Sequence, residues 1–180
     1  DVNIDTGFGT LGLGDGQDSA VDSYDGSPAV HSINPYGPRL GSSGFLDGDA
    51  SSGNSIAYTT PSINGFNIKA TRGFDNGTND ATNSIAVKGS VMGVGLAAGV
   101  SQLTYKDNAS SAADVDPNFF TASYSIAGLD LGYAMYDSDN ATTNGEETQM
   151  GVGTSLMGMG VGVTFAEVDT ATIDTDLMLV

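Results

Sequence analysis

Aspartates crowd the stretch 15–52, at Asp15, Asp18, Asp22, Asp25, Asp47 and Asp49, with Arg39 among them. Carboxylates at that density have three uses. In a confined, water-filled space they set a negative potential that favours cations and repels anions. They can ligate a hard cation such as Ca²⁺ through carboxylate and carbonyl oxygens. They can also simply solvate an external loop. No EF-hand spacing is present, and Gly14-Asp15-Gly16-Gln17-Asp18 is too short for a Ca²⁺-binding repeat. Ca²⁺ stays open as a ligand, and nothing else in the chain calls for a cofactor.

Enzymatic constellations are weak. His31 is the single histidine, and a triad would need a nucleophile and an orienting acid held beside it. Glu146-Glu147 sit in a polar stretch, unlike the buried acid of a glycoside hydrolase. Gly9, Gly12 and Gly14 fall in a strand-like pattern with no helix after them, which argues against a dinucleotide-binding turn. The chain is not expected to be an enzyme.

Composition narrows the partners. The chain has 22 acidic and 5 basic side chains, a net charge of −17. That balance argues against nucleic acid, whose phosphates require Lys and Arg. It equally argues against docking on anionic lipid by charge alone. With no cysteine, there is neither a disulfide framework nor a thiolate metal site. The 26 glycines weaken helices. The chain opens Asp1-Val2-Asn3-Ile4-Asp5, with no basic leader. The longest apolar stretch, 91–100, is too short and too Gly-rich to span a bilayer as a helix, so a membrane position would require a closed barrel.

The elements that must position these residues are strands. Apolar and small or polar residues alternate with period two over segments of about ten residues. Phe120, Ala122, Tyr124 and Ile126 oppose Thr121, Ser123 and Ser125. Leu129, Leu131, Tyr133 and Met135 oppose Asp130, Gly132 and Ala134. The pattern recurs at Ile56 and Tyr58, at Ile85, Val87 and Val91, at Met150 and Val152, and at Val161, Val163 and Phe165. In 95–106 the phase of Leu96, Ala98 and Val100 does not carry on to Leu103 and Tyr105, which predicts a β-bulge near Ser101-Gln102.

Connections alternate in length. Tight links are expected at Ser62-Ile63-Asn64-Gly65, near Gly93-Val94-Gly95, at Ala127-Gly128 and at Met157-Gly158-Met159, with polar loops over 75–83, 107–117 and 137–147. One end is therefore trim and the other loopy, as in outer-membrane barrels. The stretch 15–52 is far longer than the other links, and a short helical turn over 29–33 is expected within it, begun by Pro28.

Two segments carry a family resemblance. Gly7-Phe8-Gly9-Thr10-Leu11-Gly12-Leu13-Gly14, continued by Gln17-Asp18-Ser19, resembles the strand that leads into the long inward loop of the general bacterial porins. Asn54-Ser55-Ile56-Ala57-Tyr58-Thr59-Thr60-Pro61-Ser62-Ile63-Asn64-Gly65-Phe66 resembles that family's following strand–turn–strand. The separation of the two segments matches as well. In place of the family's usual Pro-Glu-Phe-Gly-Gly-Asp run stands Asn34-Pro35-Tyr36-Gly37-Pro38-Arg39.

The resemblance implies an all-β fold, an antiparallel transmembrane β-barrel. Residues 1–180 would supply one domain, roughly 9–10 strands of a 16-stranded porin, with an inward-folded constriction loop at 15–52. It implies a Gram-negative outer-membrane channel for passive diffusion of small hydrophilic solutes and ions, surrounded by outer-membrane lipid and trimeric when intact. Cation preference would follow from Asp15, Asp18, Asp22, Asp25, Asp47 and Asp49, with Arg39, at the constriction. Ser55, Lys69, Thr71, Lys88, Ser90, Thr121, Ser123, Asp130 and Thr164 are the candidates for the lumen wall. Arg72 shares phase with the apolar set and would snorkel to the interface, while Phe74, Tyr105, Tyr133 and Tyr136 would contribute to aromatic girdles. The rival reading is a secreted acidic β-rich binding or adhesin module, whose apolar rows would meet across a sealed core.

Overall fold

The structure, a computed structural model, describes residues 1–14, 17–24, 54–74, 79–105, 116–139, 145–157, 159–170 and 174–179. Its strands follow chain order as β1 Val2–Thr6, β2 Gly9–Gly14, β3 Ser55–Thr59, β4 Phe66–Gly73, β5 Asn79–Val91, β6 Val94–Tyr105, β7 Asp116–Ile126, β8 Leu129–Asp139, β9 Gly145–Leu156, β10 Met159–Thr170 and β11 Asp174–Leu179. Among the described residues one helix, α1 Ala20–Tyr24, lies between β2 and β3. The strands form one 11-stranded antiparallel meander in which each pairs with its sequence neighbours. Eleven compare with the roughly nine or ten expected. Segments such as β1, where Asn3 and Asp5 leave only Val2 and Ile4 as an apolar row, pair through the backbone without an amphipathic signal. Among the described residues β1 and β11 each have one partner, so this sheet is open.

Chain links alternate as the spacing predicted. Four of the tight ones carry positive φ at a non-glycine residue: Asn64 (51°), Met92 (52°), Ala127 (51°) and Met157 (53°). Gly65, Gly93 and Gly128 follow the first three at 81–87°. Positive φ at both central residues is the type I′ hairpin, whose twist matches the flanking strands. A side chain in that left-handed region costs roughly 1–2 kcal/mol, and Asn tolerates it best. The β5–β6 tip is Met92-Gly93, one residue ahead of the expected Gly93-Val94-Gly95.

At the opposite end the strands run further than the polar loops suggested. β5 already starts at Asn79, β8 reaches Asp139 and β9 starts at Gly145. A ladder needs only backbone N–H and C=O groups, so polar strand tips pair as well as apolar ones. The bulge expected at Ser101-Gln102 is absent. Ser84↔Ser101 and Asn83↔Gln102 are in register, and the irregularity lies on the partner strand between Asn79 and Ala81. The apolar row simply ends at Val100, and polar Gln102 takes the next outward position.

The two faces of the sheet differ in kind. One carries Ala57, Thr71, Ser84, Ala86, Ala97, Ser101, Thr121, Ala134, Gln149 and Ala166, all buried. The other carries Ile68, Ile85, Val100, Phe120, Leu131, Met150, Val152, Val161 and Phe165, all exposed. This inverts the usual rule for a protein in water: the buried positions lie on the small and polar side, and the greasy side is bare. Phe120 and Tyr133 pack on that bare side in a tilted arrangement, with ring centroids 6.3 Å apart and planes at 54°.

Tyr136 corrects one expectation. It is fully buried on the small-residue face instead of standing in an outer girdle. Tyr133 and Tyr136 are three residues apart, and in a strand an odd separation puts two side chains on opposite faces.

Candidate functional site

The small-residue face holds α1. The helix starts with a reciprocal cap: the Asp22 amide donates to Ser19 Oγ (3.0 Å), and that hydroxyl donates to Asp22 Oδ2 (2.8 Å). The Ser19-x-x-Asp22 spacing is that of a capping box, with a carboxylate where the helix dipole favours one. Ser23 Oγ closes the turn on the Ser19 carbonyl (2.8 Å). Ala20 and Val21 are completely buried against Ala86, Ala97, Phe119, Ala134 and Tyr136, with Tyr24 packed beside them. That surrounding keeps the Tyr24 hydroxyl neutral to higher pH, because burial raises its pKa above the ordinary value.

Wall side chains fasten the helix. Ser84 Oγ accepts the Ala20 amide (2.8 Å), Thr71 Oγ1 donates to the Asp18 carbonyl (3.3 Å), and Lys69 Nζ donates to Ser23 Oγ (2.5 Å). Ser55 Oγ donates to the Gly14 carbonyl (2.8 Å), pinning the exit from β2. Glycine makes room beneath. A Cβ on Gly99 would lie 2.6 Å from a Phe119 ring carbon and 2.7 Å from the Ala86 methyl. The wall is smooth because small residues let a chain segment lie close to it.

All nine wall candidates stand on this face. Lys69 and Thr71 touch the helix segment. Ser55, Lys88, Ser90, Thr121, Ser123, Asp130 and Thr164 share the face by strand register. Lys88, Ser90 and Ser123 are exposed, and Asp130 accepts from Ser125 Oγ (2.5 Å). Of the constriction candidates, Asp18 is exposed beside α1, and Asp22 serves the cap. Asp15, Asp25, Arg39, Asp47 and Asp49 lie outside the described residues, as does the expected turn over 29–33. Arg72 points to the bare face as expected, 5.9 Å from the Phe74 ring centroid, with Nη1 donating to Asn83 Oδ1 (2.9 Å).

Sequence reasoning missed α1 and the groups that seat it, although the Ser19–Asp22 spacing was a usable signal. It also missed the buried polar set of Glu147 and Gln149, in which Gln149 Nε2 donates to Glu147 Oε1 (2.5 Å). Tyr136 stands opposite Glu147 in the ladder. Among the described residues no group of three or more His, Asp or Glu side chains is placed to hold a metal ion. None of their helices is long and apolar enough to cross a membrane.

An antiparallel meander with trim turns at one end, a bare apolar side and a helix-bearing polar side is the architecture of a transmembrane β-barrel wall. The family model for Gram-negative porins matches residues 1–179, and the chain belongs to that family. Its place is accordingly the Gram-negative outer membrane, and its family is one of transport proteins, not enzymes.

Solved structures share the fold. A porin superposes with a TM-score of 0.68 at 16% identity over 98% of this chain and 66% of its own. An anion-selective porin from Comamonas acidovorans gives 0.71 at 20% over 98% and 58%. OmpT, an outer membrane protein of Vibrio cholerae in its trimer form, gives 0.64 at 19% over 97% and 60%. The chain thus spans 58–66% of the length of these three structures. A comparison with curated proteins returned no significant match.

Proposed function

We propose that the intact protein closes into a barrel of about 16 strands and forms a trimeric outer-membrane porin. Small hydrophilic solutes and ions would cross it by diffusion, without cofactor or chemistry. The segment 15–52 folds inward as the constriction. The observation that carries this reading is the docking of α1 on the small, polar face while the apolar rows stay uncovered. A soluble adhesin would bury those rows instead.

Cation preference is part of the proposal. An anion-selective porin shares the fold, so the fold leaves the sign of selectivity to local charge, and this chain carries a net −17. Asp15, Asp18, Asp22, Asp25, Asp47 and Asp49, with Arg39, form the charged constriction. Ser55, Lys69, Thr71, Lys88, Ser90, Thr121, Ser123, Asp130 and Thr164 line the wall.

The test is conductance of the intact protein in planar bilayers, with reversal potentials taken across a KCl gradient. Large ohmic steps and cation-selective reversal are expected, with a shift toward anions when Asp18, Asp25 and Asp47 become Asn. Unchanged selectivity in that variant removes the constriction role, and absence of steps removes the channel.

A further inference from the structure

We infer that the short-turn rim is a lipid-contacting surface, seated at the headgroup–acyl boundary of the inner leaflet instead of projecting into water. The inference rests on the membrane placement and is independent of the channel's selectivity.

The tips themselves are the first observation. Phe8, Ile63, Met92, Ala127 and Met157 stand at or beside the five short links, and none of them is charged. Met92 is 94% exposed, Met157 93% and Phe8 83%. Met92, Ala127 and Met157 occupy the left-handed first position of their turns. In water that position favours Asn, Asp or Gly; of the four such positions only Asn64 complies. Apolar residues are held there against the local backbone preference.

Continuity is the second. Val91, Ile126 and Met159 are exposed on the bare face directly beside these tips, so the rows of β5, β7 and β10 run into the turns without a polar break. In β9 Thr154 interrupts the row, its hydroxyl donating to the Gly128 carbonyl (2.7 Å). The other rim behaves oppositely. Asp137, Glu146, Glu167 and Asp169 share the outward face there, and Glu146 lies opposite both Asp137 and Asp169. Like charges facing each other require water around them.

Thickness is the third. In β9 the last outward acid before the tip is Glu146. The path from Thr148 to Met157 is nine residue steps (157 − 148 = 9). At about 3.3 Å per step that is about 30 Å along the strand, or about 23 Å of height at a tilt near 40°. The apolar band of such barrels is about 25 Å tall. There is no slack, so the hydrocarbon must reach the turn itself. In β10 the row from Met159 to Phe165 is shorter still before Glu167 intervenes.

These 180 residues contain no cysteine, so in an intact protein with any cysteine elsewhere replaced by serine, Met92→Cys and Met157→Cys accept one environment-sensitive fluorophore each. After refolding into phosphatidylcholine vesicles, both labels should be quenched more by nitroxide-bearing lipid than by aqueous iodide. Val152→Cys, in the middle of the bare face, is the control. Lipid quenching at Val152 with iodide quenching at the tips overturns the inference alone; iodide quenching at Val152 overturns the membrane placement beneath it. Tip labels shielded from both quenchers indicate a covering protein partner and also overturn the inference. Met92→Asn gives a probe-free test. It should lower the urea midpoint in vesicles, whereas a rise means that the turn lies in water.

Discussion

Lys69 and Arg72 are three residues apart in β4 and live in different solvents. Lys69 reaches the loop helix and donates to Ser23, while Arg72 lies on the bare face beside Phe74 and Asn83. The contrast extends across the sheet. Around α1 the face of Lys69 is largely Ala, Ser, Thr and Gly, with Phe119 and Tyr136 packed beneath the helix, so a chain segment can lie against it. The face of Arg72 is built of Ile, Val, Met, Phe and Leu, so that a continuous apolar surface meets hydrocarbon. A soluble sheet would hide the second set. The difference teaches that hydrophobic burial here occurs against lipid, and that the protein's own interior is held by small-residue packing and hydrogen bonds.

Charge placed on each face in turn is the strongest way to break the contrast. Val152→Lys near the band centre should destabilise the intact protein in vesicles by about 2–4 kcal/mol, read from urea unfolding. Ser123→Lys on the opposite face should leave stability nearly unchanged and alter conductance. Equal losses would mean that the faces do not meet different media. Next in size, Gly99→Val drives a branched side chain into Phe119 and Ala86, and overpacking of this kind costs about 1–3 kcal/mol. Increased open-channel noise should accompany it as α1 loses its seat. Ser84→Ala removes the acceptor of the buried Ala20 amide, a loss of about 1–3 kcal/mol when a buried donor is left unsatisfied. Faster proteolysis within 15–52 is the expected readout, against an unchanged barrel melting profile.

The smallest effect concerns pH. Tyr24 has its pKa raised by burial, so its contribution to docking is fully present below its ordinary value near 10. That contribution is lost as pH rises through the higher folded value. Conductance should therefore turn unstable only in strong alkali, and Tyr24→Phe should abolish that sensitivity. A variant that keeps it places the titration elsewhere.

The strands were legible because period-two alternation survives any mixture of side chains that keeps one face apolar. The turns were legible at Asn64-Gly65, where residue chemistry announces positive φ, and nearly so at Met92-Gly93, where Met does not. Tyr136 was misplaced because an aromatic near a strand end was read as girdle without counting its phase from Tyr133. α1 went unread because five residues bearing one cap give little periodicity, and its stability comes from the wall and not from its own turns.

By itself the sequence determined the alternation, the order of short and long links, the acidic balance and the family. Only the tertiary structure decided which strand positions seat α1, that Glu147 and Gln149 are buried together, and that the apolar rows run out into the turn tips. Period-two patterning specifies two faces but does not say what covers either one. That depends on residues distant in the chain, as Ala20 meets Ser84 and Ser23 meets Lys69, and such contacts exist only once the sheet has assembled.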